Sequence, residues 1–289
     1  MRVDEFVRAT LSGSVAHLVA CDRQYESDNS DPEVVHQMRV CVRRLRSALR
    51  TLAPALDRRW AQGLRDQLRG VSDELSAARD ADVMLQRARS RIAQIDPVDR
   101  LRSSELLAVL TARRGDTYAR VARMRREPSY AALLKDLAAA AEHPAIGAQA
   151  QGRARDLAAP LLGATYKRLR KRVRHCGRHP ADSQLHAVRI AAKHLRYALE
   201  AFECVCGKTA RRWAGCVERL QNVLGEEHDA VVLSRFLHEL PADAATSFVA
   251  GELATLESRT VERARSRWRR AWRGVKGRGG KIANKRSTG

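Results

Sequence analysis

Two stretches of this chain repeat one basic pattern, H-x-x-R-x-x-x-[RK]-x-L-R-x-A-L, at residues 36–49 and 186–199. On a helix of about 3.6 residues per turn, His36, Arg39, Arg43, Arg46 and Arg50 fall three or four apart and form one longitudinal stripe. The second copy contributes His186, Arg189, Lys193 and Arg196. A third basic row, Lys167, Arg170 and Arg174, precedes it beside the apolar Leu162, Tyr166, Leu169 and Val173. The chemistry such rows can do is anion binding. A guanidinium is a planar fork that grips phosphate oxygens in pairs and gives up its water more readily than an ammonium does. Closely spaced cations of this kind suit a polyanion: nucleic acid, an inorganic polyanion or an anionic membrane face.

The placement of the cations argues against mere solubility. One residue away on each copy runs an apolar stripe: Val35, Met38, Val42, Leu45, Leu49 and Leu52 in the first, Leu185, Val188, Ala192, Leu195, Leu199 and Phe202 in the second. A one-residue step turns about 100° around the axis, so the cations stand at the shoulder of a core seam, whereas solubilising charges belong on the far face. The copies are unequal. Arg50 is matched by Glu200, and the row at 167–174 is matched by the far less basic His17, Ala20 and Gln24. An anion track built from them should be stronger in the second half. Contact of His36 and His186 with phosphate would make binding tighter at pH 6 than at pH 8.

Other chemistry finds less support. No carboxylate or second histidine lies at i+3 or i+4 from His36 or His186, so no metal site is expected there. Asp80 and Asp229, preceded by Arg79 and His228, could serve as metal ligands or general bases. One aspartate per repeat is not a ligand set, and the simpler reading is that each orients basic side chains or caps a helix. The six cysteines form no C-x-x-C pair, and Cys204 and Cys206 are poorly spaced for zinc, so reduced, mostly buried thiols are expected. Trp60 and Trp213 read as packing anchors. No cofactor and no catalytic residue are expected.

The elements that must position the stripes are helices. Period-3.6 patterning predicts them over about 2–26, 33–53, 57–94, 98–127, 129–142, 148–176, 183–206, 208–225, 226–240 and 243–272. No convincing β-alternation appears. Aromatics make up 4% of the chain, so few rings are present to stack bases. Arg58-Arg-Trp-Ala61 matches Arg211-Arg-Trp-Ala214, and Leu75 to Asp80 matches Leu224 to Asp229, at offsets close to that of the histidines. The chain therefore reads as all-α and internally duplicated, with halves of 1–142 and 143–270, each an antiparallel helical bundle. Residues 271–289, rich in Gly and cations, read as a basic disordered tail. The formal charge of +21, from 54 Lys and Arg against 33 Asp and Glu, calls for a polyanionic partner. No apolar run of 18 or more residues exists, so no membrane insertion is expected. Leu18-Val-Ala-Cys21 superficially matches a lipoprotein cleavage box, but Asp4 and Glu5 spoil the positive start such a signal needs.

The doubled H-x-x-R-x-x-x-[RK]-x-L-R motif, supported by Arg79-Asp80 and His228-Asp229, resembles that of the CHAD family, the conserved histidine α-helical domains. The resemblance covers roughly residues 1–270. It implies two helical bundles related by a pseudo-twofold, with a basic surface and central channel that bind inorganic polyphosphate, and a non-enzymatic, cytoplasmic role at polyphosphate granules. The E-x-E-x-K signature of the triphosphate-tunnel domains fused to some members is absent. Two rival readings stay open: a protein binding nucleic acid non-specifically through the same charge, and a metal-dependent polyphosphate or triphosphate hydrolase.

Overall fold

The computed structural model describes residues 1–28, 31–147, 150, 152–241 and 243–283, with side chains described as far as 279. Its elements in order are α1 (Val3–Ser27), α2 (Pro32–Thr51), α3 (Arg58–Ile92), the short α4 (Pro97–Arg100), α5 (Ser104–Arg126), α6 (Pro128–Glu142), α7 (Ala154–Arg174), α8 (Asp182–Ala201), the single turn α9 (Glu203–Cys206), α10 (Lys208–Glu239) and α11 (Ala244–Ala283). Among the described residues there is no β-strand, only isolated bridges such as Leu56 with Ile146. The fold is all-α, as the periodicity predicts. Local chemistry sets the ends. Asp31 accepts from the Glu33 amide at 2.8 Å ahead of Pro32 to start α2, and Asp57 accepts from the Trp60 amide at 2.8 Å to start α3. Gly207, at φ 57°, takes the left-handed turn between α9 and α10.

Packing follows the apolar stripes. α2 lies between α1 and α3, α8 lies between α7 and α10, and α2 and α8 pack on each other. Met38, Val42, Leu45 and Leu49 of α2 and Val188, Ala192, Leu195 and Leu199 of α8 are all buried in one core that spans the molecule. The long helices α3 and α10 run past this core and turn back as α5 and α11. Their far ends form a second, smaller core from Met84, Ile92, Leu106 and Leu110 against Leu233, Leu237, Val249 and Leu253.

Buried carboxylates brace these helices. Asp22 of α1 accepts from Arg125 Nε (2.7 Å) and the Tyr130 hydroxyl (2.8 Å). Asp82 of α3 accepts from Arg114 Nε (2.7 Å) and the Tyr118 hydroxyl (2.9 Å). Glu257 of α11, fully buried, accepts from Arg87 Nε (2.9 Å) and Arg91 Nε (2.8 Å) of α3, and Arg91 also donates to Thr260 (2.8 Å). Glu257 therefore ties the first long hairpin to the second.

Five expectations change. The helices anticipated at 98–127 and 183–206 are each divided, into α4 and α5 and into α8 and α9. The helices anticipated at 208–225 and 226–240 are one, because Leu224, Glu227 and Ala230 keep the buried face continuous through Gly225. The helix anticipated from 148 begins at Ala154; residues 148, 149 and 151 lie outside the described residues. The stretch from 271 is not disordered as far as 283. Trp268, Trp272 and Val275, four and three apart, form an apolar stripe inside the Arg- and Gly-rich run. Trp268 and Val275 are buried, and Trp213 Nε1 donates to the Val275 carbonyl at 3.2 Å. Tyr166 stands edge-on to Trp213 at 5.4 Å and stacks near Trp272 at 6.1 Å. The tail expected at 284–289 lies outside the described residues.

Removing one side of a buried charge cluster strands the other, at a cost of about 3 kcal/mol. Glu257→Gln should therefore lower the urea unfolding free energy by roughly that amount, whereas the exposed Glu142→Gln should leave it within about 0.5 kcal/mol.

Candidate anion-binding site

The α2/α8 seam brings the two predicted stripes together. His36, Arg39, Arg43, Arg46 and Arg50 on α2, and Arg189, Lys193 and Arg196 on α8, are all half-buried at its edge, while His186 is exposed. α3 flanks α2 and α10 flanks α8, and the four helices enclose a cleft of about 330 Å³. Its lining includes Arg39, Arg79 and Arg87 from the first half and His186, Arg189, Lys193 and His228 from the second.

Arg39 Nε donates to Ser76 at 3.1 Å and its Nη2 lies 3.6 Å from Asp80. Arg46 donates to Ser72 at 2.8 Å. Arg50 Nη1 donates to His194 Nε2 at 2.6 Å, which puts that ring's proton on Nδ1. Arg189 reaches Asp229 only at 4.0 Å. Arg196 pairs with Glu218 (2.8 Å) and Glu200 (3.5 Å). Arg43 and Arg196 each lie 5.3 Å from the Tyr197 ring centre, a cation–π arrangement. Among the described residues, Lys193 and Arg43 form no ion pair. His36 Nδ1, Arg43 Nε and Arg189 Nε are buried without a hydrogen bond. The repeat explains the last of these. Ser76, which receives Arg39 Nε, corresponds to Gly225, where an added Cβ would stand 3.9 Å from Arg189 Nε.

The electrostatics express the crowding. Burial, reinforced by Arg189, Arg39 and Arg43, pulls the Lys193 amine down to about 7. Burial and the Arg50 charge take His194 to about 4. Burial and Arg189 take His228 to about 4, and its Nδ1 lies 3.3 Å from His186 Nδ1, so one ring donates to the other. Burial lowers His36, with Arg79 adding to it, and lowers His186, with Arg189 adding to it. Burial raises Asp229 against the pull of Arg189. The cleft thus holds more positive charge than its carboxylates balance, which is what an anion site needs before its anion arrives.

Not every predicted residue joins it. Lys167, Arg170 and Arg174 are exposed on α7, and the α7 cation whose charge reaches Arg50 and His194 is Arg168, one position further round. Arg196 is engaged by two glutamates, Arg39 and Arg189 meet a carboxylate only at 3.6 and 4.0 Å, and among the described residues Arg43, Arg46, Arg50 and Lys193 meet none. Sequence reading missed the polar face of α3. Ser72, Ser76, Arg79 and Arg87 recur at helical spacing and offered a readable signal. Asp80 and Asp229 each face the arginine of their own half. No group of three His, Cys, Asp or Glu able to hold a metal ion exists among the described residues. No helix there is long and apolar enough to cross a membrane.

Comparison with known proteins bears on this arrangement. A family model described as CHAD domain matches residues 9–238. Two uncharacterized proteins from strains of Mycobacterium tuberculosis are 30% and 29% identical over 281 residues, covering 92% of this chain and 52% of theirs. The chain spans about half the length of these curated relatives. PptA from Streptomyces chartreusis has the same fold, with a TM-score of 0.79 at 21% identity over 94% of this chain and 100% of that one. The CHAD domain from the plant Ricinus communis gives a TM-score of 0.72 at 27% identity over 92% of each chain.

The lowered histidines make stability depend on pH. An unfolded histidine titrates near 6.5, so the stability contributed by neutral His194 and His228 is complete above about pH 6.5 and is lost as pH falls through about 4. Glu200 and Asp229, both raised by burial, act in the opposite sense, so the readout is a difference. His194→Asn should lose less thermal stability between pH 6.5 and 4 than the wild type does.

Proposed function

This chain belongs to the CHAD domain family, and we propose that it binds inorganic polyphosphate, without catalysis, along the cleft between α2 and α8. The observation that carries this reading is the convergence of Arg39, Arg79 and Arg87 with Arg189 and Lys193, from the two halves of the sequence, on one cleft with too few carboxylates to balance them, with Arg43 close behind Lys193. The orphaned Arg43 Nε and Arg189 Nε are donors in want of acceptors, and phosphate oxygens are acceptors of the right charge. Arg46, Arg50 and Arg168 extend the basic edge along the seam, so a flexible chain can engage several cations at once. Many modest contacts on one chain add through effective concentration, and long polyphosphate should bind far more tightly than pyrophosphate. Recruitment to polyphosphate granules follows from such binding. Two repeats related by a pseudo-twofold would make the cleft a shared site rather than one belonging to either half.

Nucleic acid is the weaker partner. The lining of the cleft holds no Phe, Tyr or Trp ring to stack a base. Hydrolysis is the weaker reading, because Asp80 and Asp229, which line the same cleft, each face the arginine of their own half, and no third His, Cys, Asp or Glu completes a metal-binding group with them among the described residues.

Titration calorimetry with long-chain polyphosphate tests the proposal. Arg39→Ala/Arg189→Ala should weaken binding at least ~10-fold, equal to ~1.4 kcal/mol, and duplex DNA at matched phosphate concentration should not displace the ligand. Comparable displacement by DNA, or orthophosphate release dependent on Mg²⁺ or Mn²⁺, would overturn it. Bound anion favours protonated Lys193, so affinity should be higher at pH 6 than at pH 8, as expected from sequence. Lys193, held down at about 7, takes up a proton in that range when the anion binds, and Lys193→Arg should reduce the dependence.

A further inference from the structure

Lys193 combines two properties that lysines seldom share: an amine with no carboxylate partner and a position on the wall of a cleft that small anions can enter. The charged and titratable groups around it come from every helix of the site. They are Arg39 and Arg43 on α2, Asp80 on α3, His186, Arg189 and His194 on its own helix, and His228 and Asp229 on α10. Cations outnumber the two aspartates, and these are committed to Arg39 and Arg189. The surroundings therefore favour an anion close to the amine and disfavour a proton on it.

We propose that Lys193 is an acylation site for acyl phosphates, with Arg39 and Arg189 holding the phosphate while the amine attacks the neighbouring acyl carbon. The inference rests on the anion-binding reading of the cleft. The Nζ lone pair forms a C–N bond to the carbonyl carbon, the C–O bond to the phosphate breaks, and phosphate leaves with that electron pair. The nitrogen loses a proton to solvent, so the products are a neutral amide and inorganic phosphate, and no further reactant is required. The arginines help twice, by raising the local concentration of the anion and by stabilising the charge that grows on the leaving phosphate. The low proton affinity of Lys193, about 7, leaves much of it unprotonated at neutral pH, whereas an ordinary lysine near 10.4 is almost wholly protonated. Acylation removes one cation from the cleft, which makes it a means of weakening the hold on polyanions.

The test treats the full chain with acetyl phosphate from pH 6 to 9 and follows each lysine by peptide mass spectrometry, with the exposed Lys135 and Lys208 as internal references. At pH 7.5 Lys193 should acquire acetyl at least ~10-fold faster than either, since an amine at about 7 has a free-base fraction several hundred-fold above that of an ordinary lysine and lower nucleophilicity takes back only part. Its rate should level off above about pH 7.5 while theirs climb to pH 9. Sulfate should slow Lys193 selectively, and Arg39→Ala/Arg189→Ala should erase most of the advantage. Equal rates at Lys193 and Lys135, a phosphoryl rather than an acetyl adduct, or indifference to sulfate would each overturn the proposal. Polyphosphate binding by unreacted protein is measured alongside. Retained binding with a sluggish Lys193 sinks this inference alone, and selective, sulfate-sensitive labelling without polyphosphate binding sinks the polyphosphate reading alone.

Discussion

The structure turns on the apolar seam between α2 and α8, which forces two rows of like charge toward each other. Met38, Val42, Leu45 and Leu49 meet Val188, Ala192, Leu195 and Leu199 in the core, and the cations stand one residue away from these on both helices. Burying a large apolar side chain contributes roughly 1.5–3 kcal/mol, while two cations near a protein surface repel by a few kcal/mol at most. The seam therefore wins, and the repulsion is stored in the cleft as depressed proton affinities and unpaired donors. An anion relieves it without any change in the packing that created it.

Where the acidic residues go matters as much as where the basic ones gather. Asp22, Asp82 and Glu257 are spent on hydrogen-bonded clusters that fasten the long helices. At the edge of the cleft, Glu200 and Glu218 quiet Arg196, the cation at one end of the second stripe. Between these braces Arg39 and Arg189 receive only distant carboxylates, at 3.6 and 4.0 Å, and Arg43 and Lys193 receive none. The two repeats also differ in a useful way. A serine satisfies Arg39 Nε where a glycine leaves Arg189 Nε free, so the second-half arginine is the better prepared for a ligand.

The histidines that mark the sequence motif lie among arginines and have lowered proton affinity. Burial and neighbouring cations hold them neutral, His186 shares a proton with His228, and His194, outside the motif's spaced positions, accepts from Arg50. Neutral imidazoles can pack among guanidiniums and accept hydrogen bonds where another cation would be expelled. The residue that titrates near neutrality is instead the lysine standing where the first copy has an arginine.

Much of this protein was legible from sequence because periodicity reports on local geometry. The 3.6-residue spacing revealed helices, the one-residue offset put the cations beside a seam, and the repeated motif paired residues 36–49 with 186–199. The same logic missed the helix beyond 271, because Trp268, Trp272 and Val275 are diluted by arginines and glycines and acquire meaning only against Tyr166 and Trp213. It also grouped Lys167, Arg170 and Arg174 with the stripes, although a rotation of one residue on α7 is what selects Arg168. Sequence by itself determined the helices, the two stripes and their charge, since these follow from residue spacing along one axis. Only the tertiary structure decided which cations converge, which are answered by a carboxylate and which amine gives up its proton, because those depend on distances between helices that no spacing along the chain encodes.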